Sequence, residues 1–159
     1  MNNIPTFNPN HWRTTHSTII INTPRQHIWD ILTDFDAYNQ WNPFTYDVEI
    51  PQFKVGESFQ FTVKLGKSER LQKELITQIE EPTVMAWRYP FQENIWLSPI
   101  RYQVLTELSE SQTQYQTWEH FSGLVAPILK LLVLSDVQAG FDMAAQALKQ
   151  RCESTYTTK

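Results

Sequence analysis

A strand-like run, a helix and an aromatic segment follow one another without a gap between Ile19 and Phe44. Residues that favour β-structure fill Thr18 to Ile21, and Asn22-Thr23-Pro24 then supplies capping residues and a proline for the first turn of a helix. An apolar helix face follows, formed by Ile28, Trp29, Ile31 and Leu32. The predicted local order is therefore strand, turn and amphipathic helix.

The segment after this helix mixes aromatic and polar side chains. Its members are Asp34, Phe35, Asp36, Tyr38, Trp41 and Asn42. Such a mixture is typical of a place where a polar surface borders an apolar pocket. Aspartates at a helix end also hydrogen-bond local backbone without any ligand, so a structural role for Asp34 and Asp36 is the simpler interpretation.

Alternating apolar residues predict a series of strands after Pro43. The first clear hairpin joins Glu57 to Leu65 with Arg70 to Glu80 through the turn Gly66-Lys67-Ser68. The residues expected on the inner face are Phe59, Phe61, Val63 and Leu65 in one strand, and Leu71, Leu75, Thr77 and Ile79 in the other. Further strands are expected at Tyr46 to Ile50, Val84 to Tyr89, Tyr102 to Leu108 and Gln114 to Phe121.

The C-terminal part of the chain predicts a long helix that begins near Leu124. Its second half carries one apolar stripe, made of Val137, Phe141, Ala144, Ala145, Leu148 and Cys152. The first half, Leu124 to Leu134, is apolar around most of its circumference, which is abnormal for a helix that faces solvent. A cavity with its ligand, a partner subunit, or packing against the N-terminal arm and the Phe91 to Pro99 loop could each cover this surface.

Length and charge limit the functional class. A chain of 159 residues fits one domain with a real core or a cavity. The net charge is −4 and the basic residues are scattered, which argues against nucleic-acid binding. Aromatic residues make up 13% of the chain, a content that suits a packed core as well as a pocket wall.

The sequence indicates a cytoplasmic location. The single cysteine, Cys152, cannot form an internal disulfide, which fits a reducing compartment. Met1 to His16 lacks the apolar core of a signal peptide. Gly123 to Val137 is interrupted by Lys130 and falls short of the roughly 20 residues of a transmembrane helix, so we expect no transmembrane segment.

Several short motifs occur in a fixed order along the chain. They are Pro24 with Ile28-Trp29, Asp34 to Pro43, Glu80-Glu81-Pro82, Thr117 to Gly123, and Phe141 to Glu153. This series resembles the START-like superfamily, also called the SRPBCC or polyketide cyclase/dehydrase-like group. The resemblance implies an α+β helix-grip fold, in which a curved antiparallel sheet of six to seven strands wraps around a long C-terminal helix, with two short helices after the first strand. It also implies a polar N-terminal arm at residues 1–14 and a single domain at 15–155.

The resemblance further implies an internal cavity between the sheet and the long helix. Together with the inward parity of the strands, it predicts as pocket-lining residues Phe35, Trp41, Phe59, Phe61, Trp87, Tyr89, Tyr102, Glu119, Phe121, Leu124, Ile128 and Phe141. Glu119 is also a weak candidate for acid-base catalysis, because it shares parity with Phe121 while His120 points the other way. Pairing of Glu119 with an arginine is the structural alternative.

Other kinds of chemistry find no support in the sequence. The four histidines show none of the short metal-binding spacings, and the four glycines form no phosphate-binding loop. No serine stands in a Gly-x-Ser-x-Gly turn, and Cys152 falls on a packing stripe. We therefore expect no metal and no cofactor.

Three functions remain open. The leading hypothesis is a protein that shelters a small hydrophobic molecule, such as a lipid, an isoprenoid or an aromatic, polyketide-like compound. The second is a cyclase or aromatase-like enzyme in which Glu119 moves a proton. The third is a protein-interaction module or homodimer whose contact patch includes Trp96 and the apolar start of the last helix.

Overall fold

The structure is a computed structural model that describes residues 7, 14–90, 98–124 and 134–157. The strands are β1 (Thr14–Ile21), β2 (Thr45–Glu49), β3 (Ser58–Leu65), β4 (Ser68–Glu80), β5 (Val84–Arg88), β6 (Ser98–Ser109) and β7 (Gln112–Ser122). The helices of these residues are α1 (Arg25–Thr33), α2 (Tyr38–Trp41) and α3 (Leu134–Thr155), with a 3-10 turn at Phe35–Ala37. None of the helices within the described ranges is both long and apolar enough to cross a membrane.

The seven strands form one antiparallel sheet in the order β1-β7-β6-β5-β4-β3-β2. The predicted α+β helix-grip fold is confirmed, including the two short helices after the first strand and the long C-terminal helix. The predicted helical start near Leu124 lies next to residues 125–133, which are outside the described ranges. Leu124 itself lies in a turn and is 65% exposed.

Side chains of α3 hold this helix against the edge strand β1. The Gln138 amide accepts a hydrogen bond from the His16 N–H at 3.1 Å and donates another to the His16 carbonyl. Four residues further along β1, the Lys149 ammonium donates to the Ile20 carbonyl at 2.6 Å. Backbone groups on a sheet edge otherwise invite pairing with another chain, so these contacts both position α3 and cover the edge.

The main core lies between the inner face of the sheet and the helices. Its most buried side chains include Ile21, Ile28, Leu32, Ile76, Met85, Leu105, Phe141 and Leu148. A smaller cluster of Val84, Val104 and Trp118 lies apart from this core, and Phe7 and Tyr102 pack against it. Because side chains alternate along a strand, β5 is buried on both faces, with Met85 and Trp87 on the inner one.

The leucines of β4 do not mark its inner face. Leu71 is 68% exposed, whereas Glu74 and Ile76 are 7% and 1% exposed. The β4–β5 register shifts between Ile76 and Gln78. At such an irregularity, the parity of the residues that face the interior changes along the strand. The polar residue Glu74 is consequently directed into the domain.

Helix α3 approaches the segment before β2 closely at Gly140. A Cβ atom on Gly140 would lie 2.2 Å from ring carbons of Phe44. The Phe44 ring in turn packs edge-on against Phe141, with centroids 5.7 Å apart. The absence of a side chain at Gly140 therefore allows Phe44 and Phe141 to meet beside the interior of the domain.

We predict that Gly140→Ala destabilises the protein by about 1–3 kcal/mol, the usual cost of an overpacked core. Helix propensity alone predicts the opposite sign, a gain of up to about 1 kcal/mol. Chemical denaturation of the two proteins measures the difference. A more stable Gly140→Ala protein would show that Phe44 is not in tight contact with the helix.

Candidate functional site

The described residues line a partly open cavity of about 170 Å³ between the sheet and α3. Its apolar wall is formed by Phe44, Phe61, Val63, Leu65, Trp87, Tyr89, Pro99, Phe121, Leu134, Val137 and Phe141. An apolar cavity of about 150 Å³ is known to hold benzene in another protein. This cavity therefore has room for one ring-sized group rather than for a whole lipid chain.

Three ionisable side chains that are not exposed project into the cavity from three strands of the sheet, while Arg70 on β4 lines the cavity as an exposed side chain. The three are Glu74 on β4, Arg101 on β6 and Glu119 on β7. Arg101 is paired across β6–β7 with Glu119 and across β5–β6 with Trp87. Directly opposed residues on one sheet face have Cβ atoms about 4.5–5.5 Å apart, so the register places Trp87, Arg101 and Glu119 in one row.

Arg101 is buried among aromatic rings. The residue is 8% exposed, and its ζ carbon lies 4.4 Å from the centre of the Phe141 ring and 5.5 Å from the centre of the Trp87 ring. These distances permit cation–π attraction to both rings. A guanidinium stays charged at any accessible pH, so the cavity contains a permanent positive charge.

A threonine fixes the direction of this guanidinium. The Thr117 hydroxyl donates its proton to the Tyr102 carbonyl at 3.1 Å, and its oxygen accepts the Arg101 Nε–H at 3.2 Å. A hydroxyl group has one donor and two lone pairs, so both contacts can be made together. Arg101 is thereby tied to β7 through Nε, and its terminal nitrogens extend beyond that contact.

Both carboxyl groups of the cavity are hard to ionise. Burial raises the pKa of Glu119 to about 7, although the positive charge of Arg101 works in the opposite direction. Burial and the nearby Glu119 charge raise the pKa of Glu74 to about 8, again against the effect of Arg101. Among the described residues, no ion pair within 4.0 Å joins either group to Arg101. The pair can therefore both accept and donate protons near neutral pH.

Several residues predicted for the pocket do line this cavity. They are Phe61, Trp87, Tyr89, Glu119, Phe121 and Phe141. Phe35 and Phe59 are instead packed in an aromatic group with Tyr38 and Phe53. Trp41 is half-buried against Tyr38, with ring centroids 5.0 Å apart.

The remaining predicted pocket residues lie elsewhere. Tyr102 stacks on Trp118 at 5.2 Å, in the small cluster apart from the main core. Its side chain therefore points away from the cavity, because it alternates with Arg101 along β6. Leu124 is exposed and does not line the cavity, and Ile128 lies outside the described residues. Trp96, proposed for a contact patch, is also outside them.

Sequence reasoning missed Arg101 and Glu74, which give Glu119 its chemical context. The sequence allows Glu119 to pair with an arginine but does not indicate which arginine. The available signal was parity, since Arg101 alternates with Tyr102 and only one of them can face the interior. Among the described residues, no cluster of three or more His, Cys, Asp or Glu side chains could hold a metal ion.

Comparisons with known proteins agree with this architecture. A family model described as polyketide cyclase/dehydrase and lipid transport matches residues 13–153. The structure is similar to three solved structures. They are a protein from Thermus thermophilus (TM-score 0.72), the Zhui aromatase/cyclase from a Streptomyces species (0.68) and a START superfamily protein from Mycobacterium smegmatis (0.69).

The identities to these three proteins are low, at 11%, 19% and 17%. The alignments cover 91%, 89% and 90% of this chain, and 99%, 93% and 99% of the three compared proteins in the same order. None of the curated protein sequences matches this chain. The structural likeness therefore shows the fold, while the family follows from the match to the family model.

We predict that Glu119 makes the free energy of unfolding fall as pH rises from about 5 to about 8. The native pKa of about 7 exceeds the ordinary carboxyl value, so the folded state binds more protons than the unfolded state in this range. Since each pKa unit is worth about 1.4 kcal/mol and the group remains partly accessible, the loss is on the order of 1–2 kcal/mol.

Denaturation curves of the wild type and Glu119→Gln across this range measure the effect. The stability difference between the two proteins should shrink or reverse as the pH rises. Glu110→Gln, in the exposed turn between β6 and β7, is the matched control and should run parallel to the wild type. Parallel curves for Glu119→Gln as well would contradict a hindered ionisation at this position.

Proposed function

We propose that this chain, which belongs to the polyketide cyclase/dehydrase and lipid transport family, binds a ring-sized, largely apolar molecule between its sheet and α3. The observation that carries the proposal is the combination of an aromatic and aliphatic cavity wall with ionisable groups gathered around Arg101. Binding sites for small molecules have this general composition, in which apolar walls supply contact area and a few polar groups set orientation.

Approximate free energies indicate how much the apolar wall and the polar groups of the cavity each contribute to affinity. A buried aromatic ring removes about 150–250 Å² from water, worth roughly 4–6 kcal/mol at 25 cal/mol per Å². Lost freedom of motion on association costs at least about 4 kcal/mol. Shape alone therefore gives weak binding, and contacts with Arg101 and the carboxyl groups must supply much of the affinity.

The size of the cavity narrows the range of ligands. A volume of about 170 Å³ favours an aromatic or alicyclic compound, or one end of a longer molecule, over a complete lipid chain. The aromatic members of the predicted ligand class are accordingly preferred to lipids and isoprenoids.

We predict that Val137→Phe abolishes ligand binding without loss of the fold. Val137 is 7% exposed and lines the cavity from α3, so a larger side chain there would fill the space that a ligand needs. Met143→Phe on the exposed side of the same helix is the matched control. Titration of both variants with fluorescent aromatic probes should show at least a tenfold weaker affinity for Val137→Phe alone. Equal affinities would place binding elsewhere on the protein.

The carboxyl pair supports a second candidate, a proton-transfer enzyme of the cyclase or aromatase type. Arg101 would donate to a ketone oxygen of the substrate and stabilise negative charge that develops there. Glu119 as carboxylate would remove a proton from the adjacent carbon, and Glu74 as acid would protonate an oxygen. The pKa values of about 7 and 8 suit these opposite roles near neutral pH.

For this candidate, we predict that Glu119→Gln lowers turnover of a confirmed substrate by about 100-fold or more, the typical contribution of a general acid or base. Glu110→Gln is again the control, since it changes an exposed carboxylate outside the cavity. Steady-state kinetics measures the comparison. If Glu119→Gln kept full turnover, Glu119 would not be the acid or base of the reaction. Ligand binding would then remain as the function proposed for this cavity.

A further inference from the structure

We propose that the ligand of this cavity is a monocyclic carboxylic acid that binds as its anion against Arg101 and takes up a proton from solvent on Glu119. The inference rests on the proposed function and identifies the chemical class of the ligand. It is carried by the placement of one buried cation, Arg101, and two carboxyl groups within a ring-sized, largely apolar cavity that also has the exposed Arg70 in its lining.

The first step of the argument concerns the donors of Arg101. Its Nε–H is used by Thr117, and the side chain has four further N–H donors on the two η nitrogens. A planar guanidinium matches a carboxylate through two parallel hydrogen bonds, and such charge-assisted bonds are about twice as strong as neutral ones. A neutral ligand oxygen would use these donors less well than a carboxylate.

The second step concerns charges around the guanidinium. Helix α3 and strand β3 contribute only apolar side chains to the cavity wall, namely Leu134, Val137, Phe141, Phe61, Val63 and Leu65. The titratable or charged groups that face it are Arg70 and Glu74 on β4, Tyr89 after β5, Glu119 and Tyr115 on β7, and Tyr38 on α2. Burial raises the pKa of Tyr38 and Tyr115 by more than the nearby charge of Arg101 lowers it, so both hydroxyl groups stay neutral.

The third step is the charge balance. Arg70 is exposed, so solvent screens its charge, and the balance concerns the groups that are shielded from solvent. With Glu119 ionised and Glu74 protonated, the Arg101 charge is compensated, whereas with both carboxyl groups protonated these three groups carry one positive charge. An anionic ligand restores neutrality only in the protonated form, so its binding is linked to proton uptake. A ligand amine would instead add a second cation beside Arg101, which the same balance disfavours.

The size of the linked effect follows from the Glu119 pKa of about 7. At pH 6 the Glu119 carboxyl group is mostly protonated, and the cavity can accept an anion. At pH 8 Glu119 is protonated in only about one molecule in ten. The affinity for an aromatic acid should therefore fall about tenfold between pH 6 and pH 8. A neutral ring compound of the same shape should bind with little dependence on pH.

Benzoate and benzamide are matched probes, since they share size and shape and differ in charge. Protein-observed NMR titrations of the full chain with each probe, at pH 6 and pH 8, give the four dissociation constants. We expect benzoate to bind about tenfold more tightly at pH 6 than at pH 8, and more tightly than benzamide at pH 6. Glu119→Gln should reduce the pH dependence of benzoate binding to the smaller effect of Glu74.

The other outcomes separate the two proposals. If benzamide binds and benzoate does not, or if benzoate binds equally at both pH values, the carboxylic acid is overturned while binding in the cavity stands. If neither probe shifts cavity resonances, binding of a ring-sized ligand is itself refuted. Arg101→Gln should lose benzoate preferentially over benzamide, and equal loss of both would also count against recognition of an anion by Arg101.

Discussion

A guanidinium that cannot lose its proton is buried in an apolar cavity, and the inner face of the sheet is arranged around that charge. Burying a charge is costly unless other groups compensate it. Here Thr117 binds Nε, Phe141 and Trp87 face the cation, and carboxyl groups from β4 and β7 lie in the same cavity. These groups come from β4, β5, β7 and α3, so the site requires that the sheet and α3 be assembled.

The packing of α3 against the sheet leaves a space between them that no side chain fills. Contacts of Gln138 and Lys149 with β1 fix α3 along one edge of the sheet, and Phe44 meets the helix where Gly140 has no side chain. The helix is thus held by the edge strand, by this close contact and by its buried apolar stripe, while the space lined by Val137 and Phe141 stays open as the cavity. The fold is that of the family, and under the function proposed here the ionisable residues of this chain would determine which ligand the cavity takes.

Much of the fold was predictable because motif order and alternation are properties of the chain itself. The site was only partly predictable, since alternation defines two faces of a strand without saying which is inner. On β7, Glu119 shares a face with Phe121, which gave its inward direction. On β6 the aromatic Tyr102 suggested the wrong face, so Arg101 was missed, and on β4 the exposed Leu71 and a register shift concealed Glu74. Tertiary pairing, which a single sequence does not reveal, decided each of these cases.

The central claim is that two hindered carboxyl groups share a buried cavity with a guanidinium. Carbon-13 NMR titration of the side-chain carboxyl groups, with Glu74→Gln and Glu119→Gln used for assignment, measures this directly in the free protein. The structure predicts that Glu119 and Glu74 titrate with midpoints near 7 and 8, well above the ordinary carboxyl value. Midpoints of both groups near the ordinary value of about 4.3 would contradict it, because they would mean that the two carboxyl groups are solvated.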